Sequence, residues 1–266
     1  MINAIVFSFD RPAQLHLLLE SIEKNAQGIF NINVLYKCSD EEFKKAYDLI
    51  KERFKSVNYV EEVNFKEQTV ELLNSTLNKT CFFTDDDIIY NNVYEDDIDE
   101  CLNDDDIFCF SLRLGTNITH CYTMKCDNVL ITNKRDEKFI WWNWSKSYAD
   151  FGYPLSVDGH IFRTKEIKKL IKATSFNNPN VLEAALQVFD SYPKEIMVAY
   201  KTSVLINSPN NMVNITYPNR NGEKYGFTTK ELNDKYLNGE VIDFERMDFS
   251  SIIGCHQEIE FKFKKI

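Results

Sequence analysis

Residues 81–90 read Cys81-Phe82-Phe83-Thr84-Asp85-Asp86-Asp87-Ile88-Ile89-Tyr90. The apolar run reads as a buried strand, and the three acids fall where that strand leaves the sheet. Three adjacent anions repel one another, so gathering them costs stability unless a cation neutralises them. Hard oxygen donors at a strand end suit Mg²⁺ or Mn²⁺ already carrying phosphate oxygens. In an open α/β sheet, ligands bind outside the carboxyl ends of the strands. The stretch therefore predicts a divalent cation gripping a nucleotide diphosphate. The other acid runs differ: Asp96-Asp97 lies in a polar helical stretch, and Asp104-Asp105-Asp106 precedes a strand. Both read as solvated.

Working outward, Ile2 to Phe9 is an apolar strand ending in Asp10-Arg11-Pro12. A helix follows, with Leu15, Leu18, Leu19 and Ile22 on one face and Pro12 suited to its first turn. Ile32 to Tyr36 is a second strand, Glu41 to Phe54 an amphipathic helix, Asn58 to Val60 a third strand, and Glu67 to Leu77 a helix delivering the chain to Cys81. Strand and helix alternate at βαβ spacing, so the first ninety residues predict a parallel, nucleotide-binding half. Beyond Asp106 the pattern changes. Ile107 to Leu112 is a strand, the stretch to Lys138 is irregular β structure, and Trp141, Trp142 and Trp144 form an aromatic group. Aromatic faces stack on sugars, but three Trp in four residues cannot all face one way. Asp158 to Arg163 opens another strand, Lys165 to Ile171 is a short helix, and Val181 to Phe189 is helical in period. From about Ser208 onward one helix stands out, Lys230 to Leu237.

Composition narrows the function. With 44% hydrophobic residues over 266 positions the chain can bury a full core. A net charge of −10 argues against nucleic acid as a partner, because phosphate backbones need clustered Lys and Arg. No apolar run reaches the roughly 18 residues of a membrane span, and no signal-peptide pattern opens the chain. Seven cysteines without a CxxC pair read as reduced, mostly buried thiols, with no structural zinc. The expected place is the cytoplasm, including the inner face of the membrane, with at most peripheral association.

Four stretches together resemble glycosyltransferases of the GT-A fold, near the large family 2 of inverting enzymes. "VFSFDRPAQLHLLLESI" looks like the family's first strand, nucleotide loop and helix, and "CFFTDDDII" like its Asp-x-Asp strand end. "DGHIFRTKEI" is similar to the step after the acceptor loop, and "NNPNVLEAAL" stands where the family puts an acidic pair. They span roughly residues 1 to 190 in family-like order. One departure is that the usual Glu-Asp pair is here Leu182-Glu183. The resemblance implies an α/β GT-A catalytic domain over 1–207, with a nucleotide-sugar half at 1–106 and an acceptor half at 107–207. Residues 208–266 then form a C-terminal appendage or lid. It also implies transfer of a sugar from a nucleotide-diphosphate donor, a UDP-sugar, to a glycan or lipid-linked acceptor, with Mn²⁺ or Mg²⁺.

Residue by residue, Asp87 is the expected direct metal ligand. Asp85 shares the metal or faces the ribose. Asp86 joins the nucleotide contacts, although side chains leaving a strand alternate and it is the one expected to point away. Asp10 and Arg11 resemble the family's base and ribose contacts, against the alternative of a helix-capping Asp with a surface Arg. Asp40 and Lys66 complete the nucleotide set. Glu183 is the expected general base, against the alternative of a first-turn Glu favoured by the helix dipole. Asp158 competes for that role, beside Gly159 where a backbone can approach a ligand closely. His256 is the expected late metal ligand, and imidazole favours Mn²⁺. Arg220 and Lys224 offer cations to the leaving group.

Two other classes compete. A nucleotidyltransferase also uses a parallel sheet and metal-bound carboxylates, but it wants a Gly-rich loop after the first strand. Here that loop is Ser8-Phe9-Asp10-Arg11-Pro12. A non-catalytic carbohydrate- or protein-binding domain on the same fold would lack metal-dependent turnover of a nucleotide-sugar.

Overall fold

The computed structural model describes residues 1–187, 192–213, 216 and 220–266. Its amino-terminal part builds β1 (Ile2–Phe9), α1 (Pro12–Asn25), β2 (Phe30–Lys37), α2 (Glu41–Arg53), β3 (Asn58–Glu61), α3 (Phe65–Leu72) and β4 (Lys79–Thr84). These are the expected βαβ units, and β3, β2, β1 and β4 run parallel in that spatial order. The helix expected to reach Leu77 stops at Leu72. Asn74, Ser75 and Thr76 follow, residues whose side chains favour turns over helix continuation. Asp40 caps α2 by accepting from the backbone of Glu42 and Phe43, as its type favours.

After the acid turn come β5 (Asp87–Ile89), α4 (Glu95–Leu102), β6 (Ile107–Ser111), β7 (His120–Cys121), β8 (Cys126–Asp127), β9 (Thr132–Arg135) and β10 (Phe139–Asn143). Then follow β11 (His160–Arg163), α5 (Thr164–Ala173), α6 (Pro179–Leu186), β12 (Ile196–Tyr200) and β13 (Leu205–Asn207). Residues 188 and 189, expected in the helix after Val181, lie outside the described residues. The main sheet has nine strands in the order β3-β2-β1-β4-β11-β6-β12-β10-β9. It turns mixed at β11, which is antiparallel to both β4 and β6. The core is one continuous layer on both faces of this sheet, with Ile5, Phe82, Phe110, Ile161 and Val198 near its middle.

None of the three tryptophans lines the main cavity. Trp142 is fully buried, with its Nε1 donating to the Phe151 carbonyl, and Trp144 is buried with its Nε1 on the Lys194 carbonyl. Trp141 packs beneath Lys134. Gly159 has φ of +68°, a backbone that favours glycine. A Cβ there would stand 2.9 Å from Leu205 Cδ1, so a core side chain, not a ligand, fills the space.

The carboxyl-terminal part adds α7 (Thr229–Leu237), β14 (Glu240–Ile242) and β15 (Phe263–Lys265). Much of it packs behind the sheet on α1 and α2: Tyr236 Oη meets His16 Nδ1 at 2.9 Å, and Lys264 Nζ donates to Glu20 Oε1. Of the stretch between 214 and 226, residues 214, 215 and 217–219 lie outside the described residues. No helix among the described residues is long and apolar enough to cross a membrane.

Candidate active site

The sheet order sets the position of the site. From β1 the chain steps outward through β2 to β3, then returns to place β4 on the other side of β1. The connections leaving β1 and β4 thus diverge, one into α1 and the other into the acid turn and β5, and a crevice opens at their carboxyl ends. A cavity of about 750 Å³ lies there, with Phe9, Arg11, Lys37, Asp85 and Asp86 at one end and Asp158, Glu183 and His256 at the other.

At the first end β4 stops at Thr84, and the acid turn carries two carboxylates onto the cavity wall. Asp85 Oδ1 accepts from Arg11 Nη1 at 3.0 Å, and its Oδ2 accepts from the Phe9 backbone at 3.1 Å. Asp86 does not point away. Its Oδ2 accepts from the same Arg11 Nη1 at 2.9 Å, and its Oδ1 from Asn207 Nδ2 at 2.9 Å. The turn after Thr84 breaks the strand alternation that would have sent it to the far side. Asp87 is the acid that turns inward. It begins β5, pairs with Asn207 of β13, and is wholly buried off the cavity wall, accepting from Thr84 N and Asn207 Nδ2.

Burial raises the Asp85 carboxyl to about 6, although Arg11 pulls it down. Burial also holds the Asp87 carboxyl well above the ordinary range, and Asp158 and Asp86 add to it. The charge of two carboxylates therefore rests on one guanidinium nitrogen.

Asp10 does not cap α1. Its backbone has φ of 52°, and Oδ1 accepts from Ser39 N, tying the β1 loop to the β2 loop. Asp10 is buried, and Arg11 reaches the cavity in its place. Asp40 is taken up by its helix cap, and Lys66 stands over the Phe176 ring. Neither lines the cavity.

At the second end, Asp158 Oδ1 accepts from Thr84 Oγ1 at 3.0 Å, and Oδ2 meets Arg113 Nη1 at 3.2 Å and His256 Nε2 at 3.3 Å. Burial opposes its charge, but His256 and Arg113 outweigh that and hold it below the usual carboxylate range. Glu183, in the first turns of α6, accepts from Val157 N at 3.1 Å. Burial raises its carboxyl, and the charge of Asp158 raises it further. The two acids thus have opposed environments: His256 and Arg113 hold Asp158 below the usual carboxylate range, while burial and the Asp158 charge hold Glu183 above it.

His256 is brought to this end by backbone pairing. β13 is gripped on one side by β5 and on the other by residues 255–257, where Asn207 N donates to Cys255 O and Gln257 N to Asn207 O. The grouping Asp85, Asp87 and His256 expected around one metal does not form. Among the described residues, the three-donor group containing His256 is Asp150, Cys255 and His256. Arg220 lines the cavity and donates to Tyr122 O, while Lys224 does not reach it. His160 is fully buried with Nδ1 at the Pro154 carbonyl, a core residue.

Sequence reading missed Arg113 and Asn207. Arg113 follows the fully buried β6 by two positions, and Asn207 ends an apolar Val-Leu-Ile run; each is a polar residue at a buried strand end. That is the signal that singled out Asp85.

Comparison with known proteins agrees with this geometry. The bifunctional glycosyltransferase pgtA of Dictyostelium discoideum is 30% identical over 210 residues, 68% of this chain and 27% of that protein. The crystal structure of S. aureus TarS matches with a TM-score of 0.50 and 15% identity, covering 79% of this chain and 37% of TarS. This chain is a relative of GT-A-like glycosyltransferases. It spans 27% of the length of pgtA, so the likeness concerns one segment of that protein. A cytidylyltransferase from Leptospira borgpetersenii aligns with a TM-score of 0.43 and 11% identity, over 79% of this chain and 82% of that one. No protein-family model matches the chain. In this GT-A-like chain the acid turn contributes Asp85 and Asp86 to the cavity.

Proposed function

We propose that the chain transfers a sugar from a nucleotide-diphosphate donor to an acceptor hydroxyl, with inversion at the anomeric carbon. The observation that supports this most is one cavity with a paired-carboxylate end at the β1/β4 switch point and the buried Glu183 carboxyl at the other. A donor lying along the cavity would put its nucleotide near Phe9, Arg11 and Lys37, with its sugar toward Glu183.

The wall fits a hard cation. Asp85 and Asp86 are oxygen donors facing the cavity, and burial leaves Asp85 short of compensating charge. Mn²⁺ or Mg²⁺ held by Asp85 and Asp86, together with the diphosphate, would supply stabilisation of the charge that builds on the leaving group. Arg11, bridging the same carboxylates, holds both acids on the wall and adds a cation beside the phosphates. On this reading Asp86 takes the place first expected for Asp87.

Glu183 takes the proton of the acceptor hydroxyl. A base works best with a pKa raised toward the working pH, which favours Glu183 over the cation-clamped Asp158. Asp158 keeps its charge, orients Thr84 and His256, and favours positive charge developing at the transferred sugar. Position at the inner face of a membrane and a glycan or lipid-linked acceptor belong to the same reading. The donor sugar lies beyond it, because a single hydroxyl's orientation is read by a few side chains.

A thermal-shift screen of nucleoside diphosphates and nucleotide-sugars, with and without Mn²⁺, tests the assignment. Stabilisation by at least one donor that needs both Mn²⁺ and the Asp85–Asp86 pair is expected. Equal shifts in the Asp85→Asn and Asp86→Asn variants would remove the pair from the site.

A further inference from the structure

The acceptor end holds a second set of donors that the transfer reaction leaves unused. Cys121 ends β7, Asp150 lies in the 3-10 turn Ala149–Gly152, and Cys255 and His256 lie in the carboxyl-terminal segment. Ligand atoms of Asp150, Cys255 and His256 all fall within 4.8 Å of one another. Cys121 Sγ donates to Asp150 Oδ1 at 3.5 Å, and Cys255 Sγ stands 3.5 Å from His256 Nδ1. Bonds of 2.0–2.3 Å to a tetrahedral ion give ligand–ligand edges of about 3.5 Å. Three donors are thus gathered, and Cys121 stands beside one of them, so that a side-chain shift of Cys121 completes a set of two sulfurs, one nitrogen and one oxygen. This mixture suits a borderline-soft cation such as Zn²⁺ and is unlike the all-oxygen wall of Asp85 and Asp86.

The surroundings are arranged as around a metal. His256 presents Nδ1 to the thiol and Nε2 to Asp158 Oδ2 at 3.3 Å, so one ring nitrogen is free for an ion while a carboxylate orients the other. Asp150 is fixed by both ends of the Asn128 amide, whose Nδ2 donates to Oδ2 at 3.0 Å and whose Oδ1 accepts from Asp150 N at 2.9 Å. Together with Arg113, a divalent ion also offsets most of the local negative charge. Two thiolates, Asp150 and Asp158 carry four negative charges. Arg113, 3.2 Å from Asp158 and 3.9 Å from Asp150, offsets one, and a divalent ion offsets two more. Binding would release the two thiol protons and the His256 Nδ1 proton to solvent as these atoms become ligands.

We propose that Cys121, Asp150, Cys255 and His256 form a zinc-type site that fastens the carboxyl-terminal segment to the acceptor side of the cavity. Four protein donors close the shell, which makes the site structural. A scan for CxxC pairs misses it because its ligands come from three distant stretches.

The test uses the full chain, reduced and stripped with a chelator, then titrated with Co²⁺ and competed with Zn²⁺. One equivalent of Co²⁺ should bind with thiolate-to-cobalt absorption and tetrahedral ligand-field bands. Cys121→Ser and Cys255→Ser should each weaken or abolish the thiolate band, and Asp158→Asn should lower affinity by about 10-fold or more. Cys126→Ser, a neighbouring thiol on β8, should bind as the parent does. X-ray absorption on the zinc-loaded parent needs no variant, and two sulfurs in the shell are expected. A shell of nitrogen and oxygen only, or a thiolate band that survives both cysteine substitutions, would overturn the proposal.

Discussion

Replacing Arg11 by Met removes the guanidinium that joins Asp85 to Asp86 while nearly keeping its volume. The three side chains are 9%, 4% and 10% exposed, so the pair is buried, and water cannot take over the lost charge. Taking one partner from a buried ion pair costs about 3–5 kcal/mol. The bond from Arg11 Nη2 to the Asn211 carbonyl, 2.6 Å, goes with it. The loss should depend on pH in a set direction. Asp85 titrates near 6 in the folded parent, above its unfolded value of 3.8, so the folded state holds the extra proton and gains stability as pH falls through that window. Without Arg11 the folded pKa rises further, and the variant gains over a wider window. The two proteins therefore converge on acidification. Urea denaturation should show the full deficit at pH 7.5 and a clearly smaller one at pH 5. A deficit under about 1 kcal/mol, or one that grows on acidification, would refute the claim that Arg11 compensates two buried carboxylates.

Other expectations follow from single residues. Asp87→Asn should leave the Mn²⁺-dependent response to nucleoside diphosphate in place, whereas Asp85→Asn and Asp86→Asn should remove it, as read by thermal shift; Asp104→Asn is the neutral control. Glu183→Gln should lower kcat by about 10²–10⁴ with donor affinity little changed, as steady-state kinetics would report. Gly159→Ala should cost about 1–2 kcal/mol from left-handed backbone alone, with more from the contact at Leu205, measurable by urea denaturation.

The sequence carried the parallel half well, because each strand there is an apolar run punctuated by turn residues. β1 was read at its full length, and the acids after β4 fell at the crevice. Side-chain direction after the turn was not readable. Strand alternation predicts that Asp86 points away, but a turn at Asp85-Asp86 resets the alternation and buries Asp87 instead. The β13 edge and its pairing with residues 255–257 were hidden because three-residue strands carry no period. Hence His256 could be singled out, but its neighbours could not. Asp40 and Lys66 failed for a simpler reason: a good N-cap residue satisfies its helix first, and Lys66 lies one position past the cavity-lining Phe65. Trp142 and Trp144 show tertiary context overriding residue type, since their indole N–H groups found backbone carbonyls in the core.

The most direct test of transfer with inversion is NMR of the product formed from an accepted nucleotide-sugar, with release of the nucleoside diphosphate followed in parallel. The account predicts Mn²⁺-dependent release, an anomeric configuration opposite to that of the donor, and loss of both in Asp86→Asn. Retained configuration would contradict Glu183 as the base, and release unchanged in Asp86→Asn would contradict the paired-carboxylate wall.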